Sequence, residues 1–304
     1  MDTSRTPDRV DAAGADNATQ PAAPQYLSRP EGRISYTVEG TGPLVVLVPG
    51  MGDLRSTWRE LVGPLVAAGH RVAVTDLRGH GDSDTTFTVY GDLATGDDLL
   101  ALVRELGDDP AVLIGNSMGA SAAVWAAAER PDLVAGLVLV SPFLREPPQG
   151  RVARGLLRAL YRVLFVRPWG PSAWAAYYRR VLSKGATAPW VDEHVADLRA
   201  SLRRPGYLRA FRRLTLQLTH EPIEARLGDV RAPAVAFVGD LDPDFADPAA
   251  ELAWIVAALG ARGVAVPNAA HYPQHQAPDV VVPAVLEHLA GLPRSTDAAD
   301  RWAR

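Results

Sequence analysis

Residues 111–130 read AVLIGNSMGASAAVWAAAER, and one serine, Ser117, stands there with Gly115 and Gly119 two residues away on either side. Ala111 to Ile114 is a short apolar run with Val and Ile, the pattern of a strand buried on both faces. From Ser117 to Arg130 the chain is rich in alanine, the strongest helix former, and it stops before Pro131, which cannot continue a helix. The stretch predicts strand, sharp turn, helix. Glycines on either side of the serine let strand and helix close on one another. The hydroxyl then stands at the carboxyl end of a strand, near the positive end of a helix dipole, where a nucleophile is placed. The pattern G-x-S-x-G is weak alone, because a serine that merely caps a helix after a strand reads the same way.

The rest of the chain extends the alternation. GRISYTVEG alternates like an edge strand, and PLVVLVPG is a continuous apolar run stopped by Pro49-Gly50. STWRELVGPLVAAG reads as helix, HRVAVTDLRG as strand, and DLATGDDLLALVRELG as a helix ending at Gly107. VAGLVLVSP is another buried strand. APAVAFVGD, DPAAELAWIVAALG, RGVAVPN and DVVVPAVLEHLAGL resume the strand–helix order much later. Such alternation predicts an α/β fold, a mostly parallel central sheet flanked by helices.

Between these blocks, residues 142–225 differ in composition. They hold 15 Lys/Arg against 6 Asp/Glu, and 10 of the 21 aromatic residues. RVARGLLRALYRVLFVRPW has the look of an amphipathic helix with arginine on one face. The segment reads as an inserted helical cap, dividing a core of residues 26–141 and 226–292. Residues 1–25, rich in Ala, Pro and acids, read as a disordered tail, and 293–304 as a C-terminal tail.

Composition narrows the chemistry. The 304 residues carry a net charge of −4, which makes no global case for nucleic acid. There is no cysteine, hence no disulfide, thiolate metal site or cysteine nucleophile. The seven histidines lack metal-ligand spacing, so no metal and no cofactor are expected. No apolar leader and no uninterrupted apolar run of about 18 residues is present, so a cytoplasmic protein without a transmembrane segment is expected.

A serine nucleophile needs a base, an acid that orients it, and donors for an oxyanion. In such a sheet these groups belong in loops at the carboxyl ends of strands. His271 follows GVAVPN in the loop NAAHYPQHQAP, and Asp242 follows APAVAFVG in DLDPD.

On these residues the chain resembles the α/β-hydrolase superfamily of capped, esterase-like serine hydrolases, over about residues 31–292. PGMGD at 49–53 stands at the family's oxyanion loop. DLRGHGDSD at 76–84 is similar to its D-x-R-G-x-G-x-S segment. GNSMG matches the nucleophile elbow, GDLDP the acid loop, and HYPQHQAP the histidine loop. The resemblance implies Ser117 as nucleophile, His271 as base, Asp242 as acid, and the backbone N–H groups of Met51 and Met118 as the oxyanion hole. Pro49 replaces the usual histidine before Gly50 and leaves the Met51 donor intact. Gln276 stands where glutamate is usual, a structural position.

Several residues compete for these roles. His275 could be taken for the base, and Asp240, Asp244 or an acid after Ser141 for the acid. His80, Asp82 and Ser83 read as loop scaffolding. His70, His194, His220 and His288 have no motif partner and are expected on surfaces. Phe143, Trp169 and Trp174 are candidate substrate contacts from the aromatic insertion. The expected activity is hydrolysis of a carboxylic ester or thioester of a small to medium apolar acyl substrate through an acyl-enzyme. Lactonase or C–C hydrolase chemistry, a biosynthetic cyclase or thioesterase, and a ligand-binding protein without turnover are the alternatives. A serine at 117 argues against a dehalogenase-like route, which would use Asp there. The basic insertion raises an anionic or carrier-bound substrate as a further possibility.

Overall fold

The computed structural model describes residues 23–107, 109–146 and 151–293, and its centre is one eight-stranded sheet. The strands are β1 (Gln25–Arg29), β2 (Gly32–Glu39), β3 (Leu44–Val48), β4 (Arg71–Thr75), β5 (Ala111–Asn116), β6 (Val134–Val140), β7 (Ala234–Gly239) and β8 (Arg262–Val266). Their spatial order is β1-β2-β4-β3-β5-β6-β7-β8. β2 runs antiparallel to both neighbours, and every pairing from β4 through β8 is parallel. This is the mostly parallel α/β sheet that the alternation predicts.

The helices are α1 (Arg59–Ala67), α2 (Asp92–Glu105), α3 (Met118–Glu129), α4 (Arg151–Leu164), α5 (Gly170–Tyr177), α6 (Val191–Arg203), α7 (Tyr207–Gln217), α8 (Glu221–Glu224), α9 (Pro248–Leu259), α10 (Pro273–Gln276) and α11 (Pro278–Ala290). The two-residue period of the strands divides the core between the sheet's faces. Val46, Val48, Leu113 and Leu139 pack with α2, α3 and α9. Their neighbours Val45, Leu47, Ile114 and Val140 pack with α1 and α11. All eight are fully buried. Each such aliphatic side chain contributes about 1.5–3 kcal/mol by leaving water, which is why these runs are continuous rather than alternating.

After β6 the chain leaves the sheet, builds α4 to α8, and returns at β7. These inserted helices have their own aromatic core, in which Phe165, Trp174, Tyr178 and Phe211 meet Leu198, Leu202 and Leu208. Tyr272, from the loop after β8, belongs to the same cluster and locks the insertion onto the sheet domain.

Two expectations change. β2 is not the edge strand, because β1 pairs along its whole length outside it. β1 therefore begins at Gln25, inside the span read as a tail. Residues 1–22 and 294–304, the remainder of both expected tails, lie outside the described residues.

Candidate active site

β5 ends at Asn116, and Ser117 is the residue before α3. Ser117 has φ 55° and ψ −123°, a conformation that non-glycine residues adopt only at a cost of about 1–3 kcal/mol. The flanking glycines make it possible. A Cβ on Gly115 would lie 2.5 Å from the Ala120 nitrogen, and one on Gly119 would lie 2.5 Å from the Pro49 carbonyl oxygen. Strand, turn and helix thus touch backbone to backbone. The Ser117 N–H donates to the Val140 carbonyl at 2.8 Å, fixing the turn to the neighbouring strand.

Ser117 and His271 line one cavity of 210 Å³. His271 lies in the loop after β8, and Nδ1 of its ring is 3.1 Å and 3.2 Å from the two Asp242 carboxylate oxygens. Asp242 follows β7 and is almost wholly buried. Asp244 adds a second carboxylate 3.3 Å from the same nitrogen. Nδ1 facing two carboxylates carries the hydrogen, so Nε2 is the basic nitrogen of the neutral ring. Burial disfavours the His271 cation, but Asp242 and then Asp244 outweigh it and raise the pKa to about 9. Burial pushes Asp242 up, and the His271 charge more than offsets that, holding its carboxyl below the usual range. Burial raises Asp244, and His271 offsets this only in part.

Asp242, Asp244 and His271 also place three potential metal-ligand atoms within 4.8 Å of one another. Nδ1 is hydrogen-bonded to Asp242 and lies within ion-pair distance of Asp244, so both acids bear on the ring's proton.

The loop carrying His271 is held from three sides. The Asn116 amide donates to the His271 carbonyl at 3.1 Å, and the His271 N–H donates to the Leu182 carbonyl at 3.0 Å. The Gln276 oxygen accepts the Ala270 and Tyr272 N–H groups, and its nitrogen donates to the Lys184 and Ala186 carbonyls. Gln276 is thus a staple between loop and insertion.

Met51 and Met118 border the cavity, and neither N–H is used in a turn or cap hydrogen bond among the described residues. The loop that carries Met51 is gripped at the next residue. The Gly52 N–H donates to His80 Nε2 at 3.2 Å, and the Trp174 indole donates to the Gly52 carbonyl at 2.8 Å. Asp53 accepts from His194 Nε2 at 2.7 Å and from the Tyr178 hydroxyl at 3.3 Å. His80 is buried and its pKa is lowered by desolvation, in keeping with an unprotonated Nε2 that accepts. Asp82 pairs with Arg55, and the Ser83 hydroxyl accepts the Ser35 N–H, both holding loops together.

Of the competing residues, Asp244 shares the His271 ring nitrogen, and the others are engaged differently. His275 is buried under Trp190 and Tyr272, and burial lowers its pKa to about 3. Asp240 is exposed. Glu146, the acid that follows Ser141, accepts from the Thr219 hydroxyl and the His220 N–H. Phe143 and Trp174 line the cavity, but Trp169 does not: it is half exposed and its indole donates to the Val163 carbonyl. His194 and His220 are buried, contrary to expectation, because each is paired with a buried aspartate, Asp53 and Asp92. His70 and His288 are half-buried. Tyr161, Tyr177 and His220 border the cavity without a sequence signal, their partners being remote in the chain.

Comparison with known proteins bears on the family and the fold. The family model described as "Alpha/beta hydrolase family" matches residues 45–284. The soluble epoxide hydrolase of Corynebacterium sp. (strain C12) is 26% identical over 286 residues, 86% of this chain and 94% of that one. Epoxide hydrolase 3 of Siraitia grosvenorii is 38% identical over 104 residues, so the match spans 34% of this chain and about a third, 33%, of that relative. A thermophilic esterase from Thermogutta terrifontis has a similar structure, with a TM-score of 0.72 at 26% identity over 88% of this chain and 98% of that one. With most of its length matched by the family model, the chain belongs to the alpha/beta hydrolase family.

Proposed function

We propose that the protein is a serine-dependent carboxylic ester hydrolase acting on a largely apolar acyl substrate, with thioesters as close chemical kin. The observation that carries this reading is Ser117, held at a strained turn on the same cavity as a histidine whose far nitrogen is bound to Asp242. Neutral His271 takes the Ser117 proton through Nε2 as the oxygen attacks the carbonyl. Asp242 holds the ring and stabilises the imidazolium, with Asp244 adding to its charge. The Met51 and Met118 amides face the developing oxyanion, each such donor being worth about 3–4 kcal/mol in the transition state. The alcohol leaves with the proton from His271, and water, activated by the same base, releases the acid. The helices between β6 and β7 act as a cap whose Phe143, Trp174 and Tyr161 keep water from the acyl chain.

Ester cleavage is favoured over epoxide opening by the identity of the nucleophile. Serine attacking a carbonyl gives an ester that water can cleave through the same oxyanion site. Serine attacking an epoxide carbon gives an ether, which that site cannot hydrolyse. A panel of 4-nitrophenyl esters, thioesters, lactones and epoxides tests the reading. Turnover of esters that disappears in Ser117→Ala supports it. Turnover of epoxides alone, or ester turnover that survives Ser117→Ala, refutes it.

The excess of arginine in the insertion is partly internal. Arg145 pairs with Glu251, Arg179 with Asp192, and Arg204 with Asp82. These pairs lessen the case for an anionic carrier as the substrate, and a free small ester is the simpler reading.

A further inference from the structure

The cavity has a second histidine–aspartate pair that the ester mechanism leaves unused. His220 precedes α8 and Asp92 opens α2, 128 residues apart in sequence. His220 Nδ1 lies 2.7 Å from an Asp92 carboxylate oxygen, and the Asp92 side chain is fully buried. The backbone of His220 is pinned as well, its N–H donating to Glu146 at 2.7 Å. Phe143 stacks on the imidazole at 5.3 Å with the rings 9° apart. The ring can neither rotate nor tilt without losing these contacts. Its Nε2 has no hydrogen-bond partner among the described residues, and His220 borders the cavity. A buried, oriented imidazole with one nitrogen presented to a substrate cavity is a built hydrogen-bonding site.

The same Phe143 ring lies 6.0 Å from the His271 ring. The two imidazoles are therefore no more than about 11 Å apart, the sum of those centroid distances, with an apolar ring touching both. Acceptors at His220 and Thr215 share this cavity with the Arg158 guanidinium, whose donors favour an anion. With Nδ1 turned to Asp92, Nε2 is the ring nitrogen left for a cavity ligand, and it accepts when Nδ1 carries the hydrogen. The neighbouring Thr215 hydroxyl donates to the Arg212 carbonyl at 2.9 Å, which leaves it an acceptor toward the cavity. Glu146 also borders the cavity, where it accepts from the Thr219 hydroxyl and the His220 N–H.

We propose that His220, held by Asp92, is a specificity site for a hydroxyl group at the far end of the acyl chain, so that the preferred substrate is a hydroxyacyl ester. The reacting carbonyl sits at Ser117, the apolar middle of the chain lies along Phe143, and the hydroxyl donates to His220 Nε2. This rests on the ester-hydrolase reading for the orientation of the chain.

Three esters matched in length test it: 4-nitrophenyl hexanoate, its 6-hydroxy derivative and the mono-4-nitrophenyl ester of adipic acid. One hydrogen bond predicts kcat/KM for the hydroxy ester about three- to tenfold above the plain ester in the wild type. In His220→Phe, which keeps a flat ring against Phe143 and loses the lone pair, that ratio falls to about one. In His220→Gln, whose side-chain oxygen can accept, part of the preference returns. Because each value is a ratio within one protein, loss of folded material does not alter it. A wild-type ratio of one, a ratio unchanged in His220→Phe, or a preference for the carboxylated ester overturns the assignment. Dissociation constants of Ser117→Ala for the plain and hydroxy esters supply an arm that needs no turnover. A preference there with no Ser117-dependent hydrolysis sinks the ester-hydrolase reading and keeps the hydroxyl site. Hydrolysis that depends on Ser117 with no preference does the reverse.

Discussion

Removing a carboxylate beside the base should make the enzyme faster at neutral pH. His271 is raised to about 9 by Asp242 and, next, Asp244, against the opposing effect of burial. At pH 7 such a base is neutral in about 1% of molecules, since each pH unit below the pKa costs a factor of ten. Asp244→Asn removes one charge 3.3 Å from Nδ1 and leaves the hydrogen bonds to Asp242. Coulomb's law at that distance with an effective dielectric of about 20 gives about 5 kcal/mol, an upper bound. The Asp244 side chain is 24% exposed, so solvent screens it, and its own pKa is raised by burial, so its charge is incomplete at the acid end. A fall of about one unit in the His271 pKa is the discounted expectation, at the low end of what a neighbouring charge does. The neutral fraction at pH 7 then rises about tenfold, and a weaker base gives back about a factor of three through its lower Brønsted driving force. Net kcat/KM for a short neutral ester at pH 7 should rise about threefold, while the plateau above about pH 9.5 should fall by a similar factor. The assay is kcat/KM for 4-nitrophenyl butyrate across this pH range, corrected for spontaneous hydrolysis. A midpoint that stays put or moves upward in Asp244→Asn refutes the claim that this carboxylate acts on the base.

Two further outcomes follow from the same site. Gly119→Ala drives a methyl to 2.5 Å from the Pro49 carbonyl and 2.7 Å from that of Val48, where no side chain can yield. It should cost about 1–3 kcal/mol by overpacking, lower the melting temperature by several degrees and reduce kcat by displacing the Met51 loop, all read by calorimetry and steady-state kinetics. The folded His271 pKa of about 9 exceeds its ordinary 6.5, so its stabilising contribution is complete below pH 6.5 and is lost as pH rises through 9. The melting temperature should therefore fall between those two pH values in the wild type, and fall less in His271→Gln; equal falls in both proteins would remove His271 from that pH dependence.

The parts of this molecule legible in sequence are those set by local sterics or periodicity. Gly115 and Gly119 are spaced around Ser117 because backbone must touch backbone there, and that requirement is written in adjacent residues. The buried strands read as continuous apolar runs because both faces of the sheet are covered. Asp242 could be found because it closely follows the buried run of β7, and His271 because it lies in the loop after the short strand β8. β1 escaped notice because only its central residue, Leu27, is buried, and a mostly exposed five-residue strand has little periodicity to show. His194 with Asp53 and His220 with Asp92 are joined across 141 and 128 residues, where spacing carries no signal. A histidine without a motif looks like surface until its buried carboxylate is seen. In the insertion, aromatic content is visible but the face each helix turns inward is not. Trp169 lies outward while Tyr161 and Tyr177 reach the cavity, because packing among α4, α5 and α7 decides which rings face it.

The central claim is that Ser117 is the residue that becomes acylated. A fluorophosphonate, which mimics the tetrahedral intermediate and bonds only to an activated hydroxyl, reads it without knowledge of the substrate. Mass spectrometry of the labelled protein should find one adduct, on the peptide containing Ser117, formed faster as pH rises toward 9 and absent in Ser117→Ala. An adduct on another residue, or none on a protein that hydrolyses esters, would contradict the account.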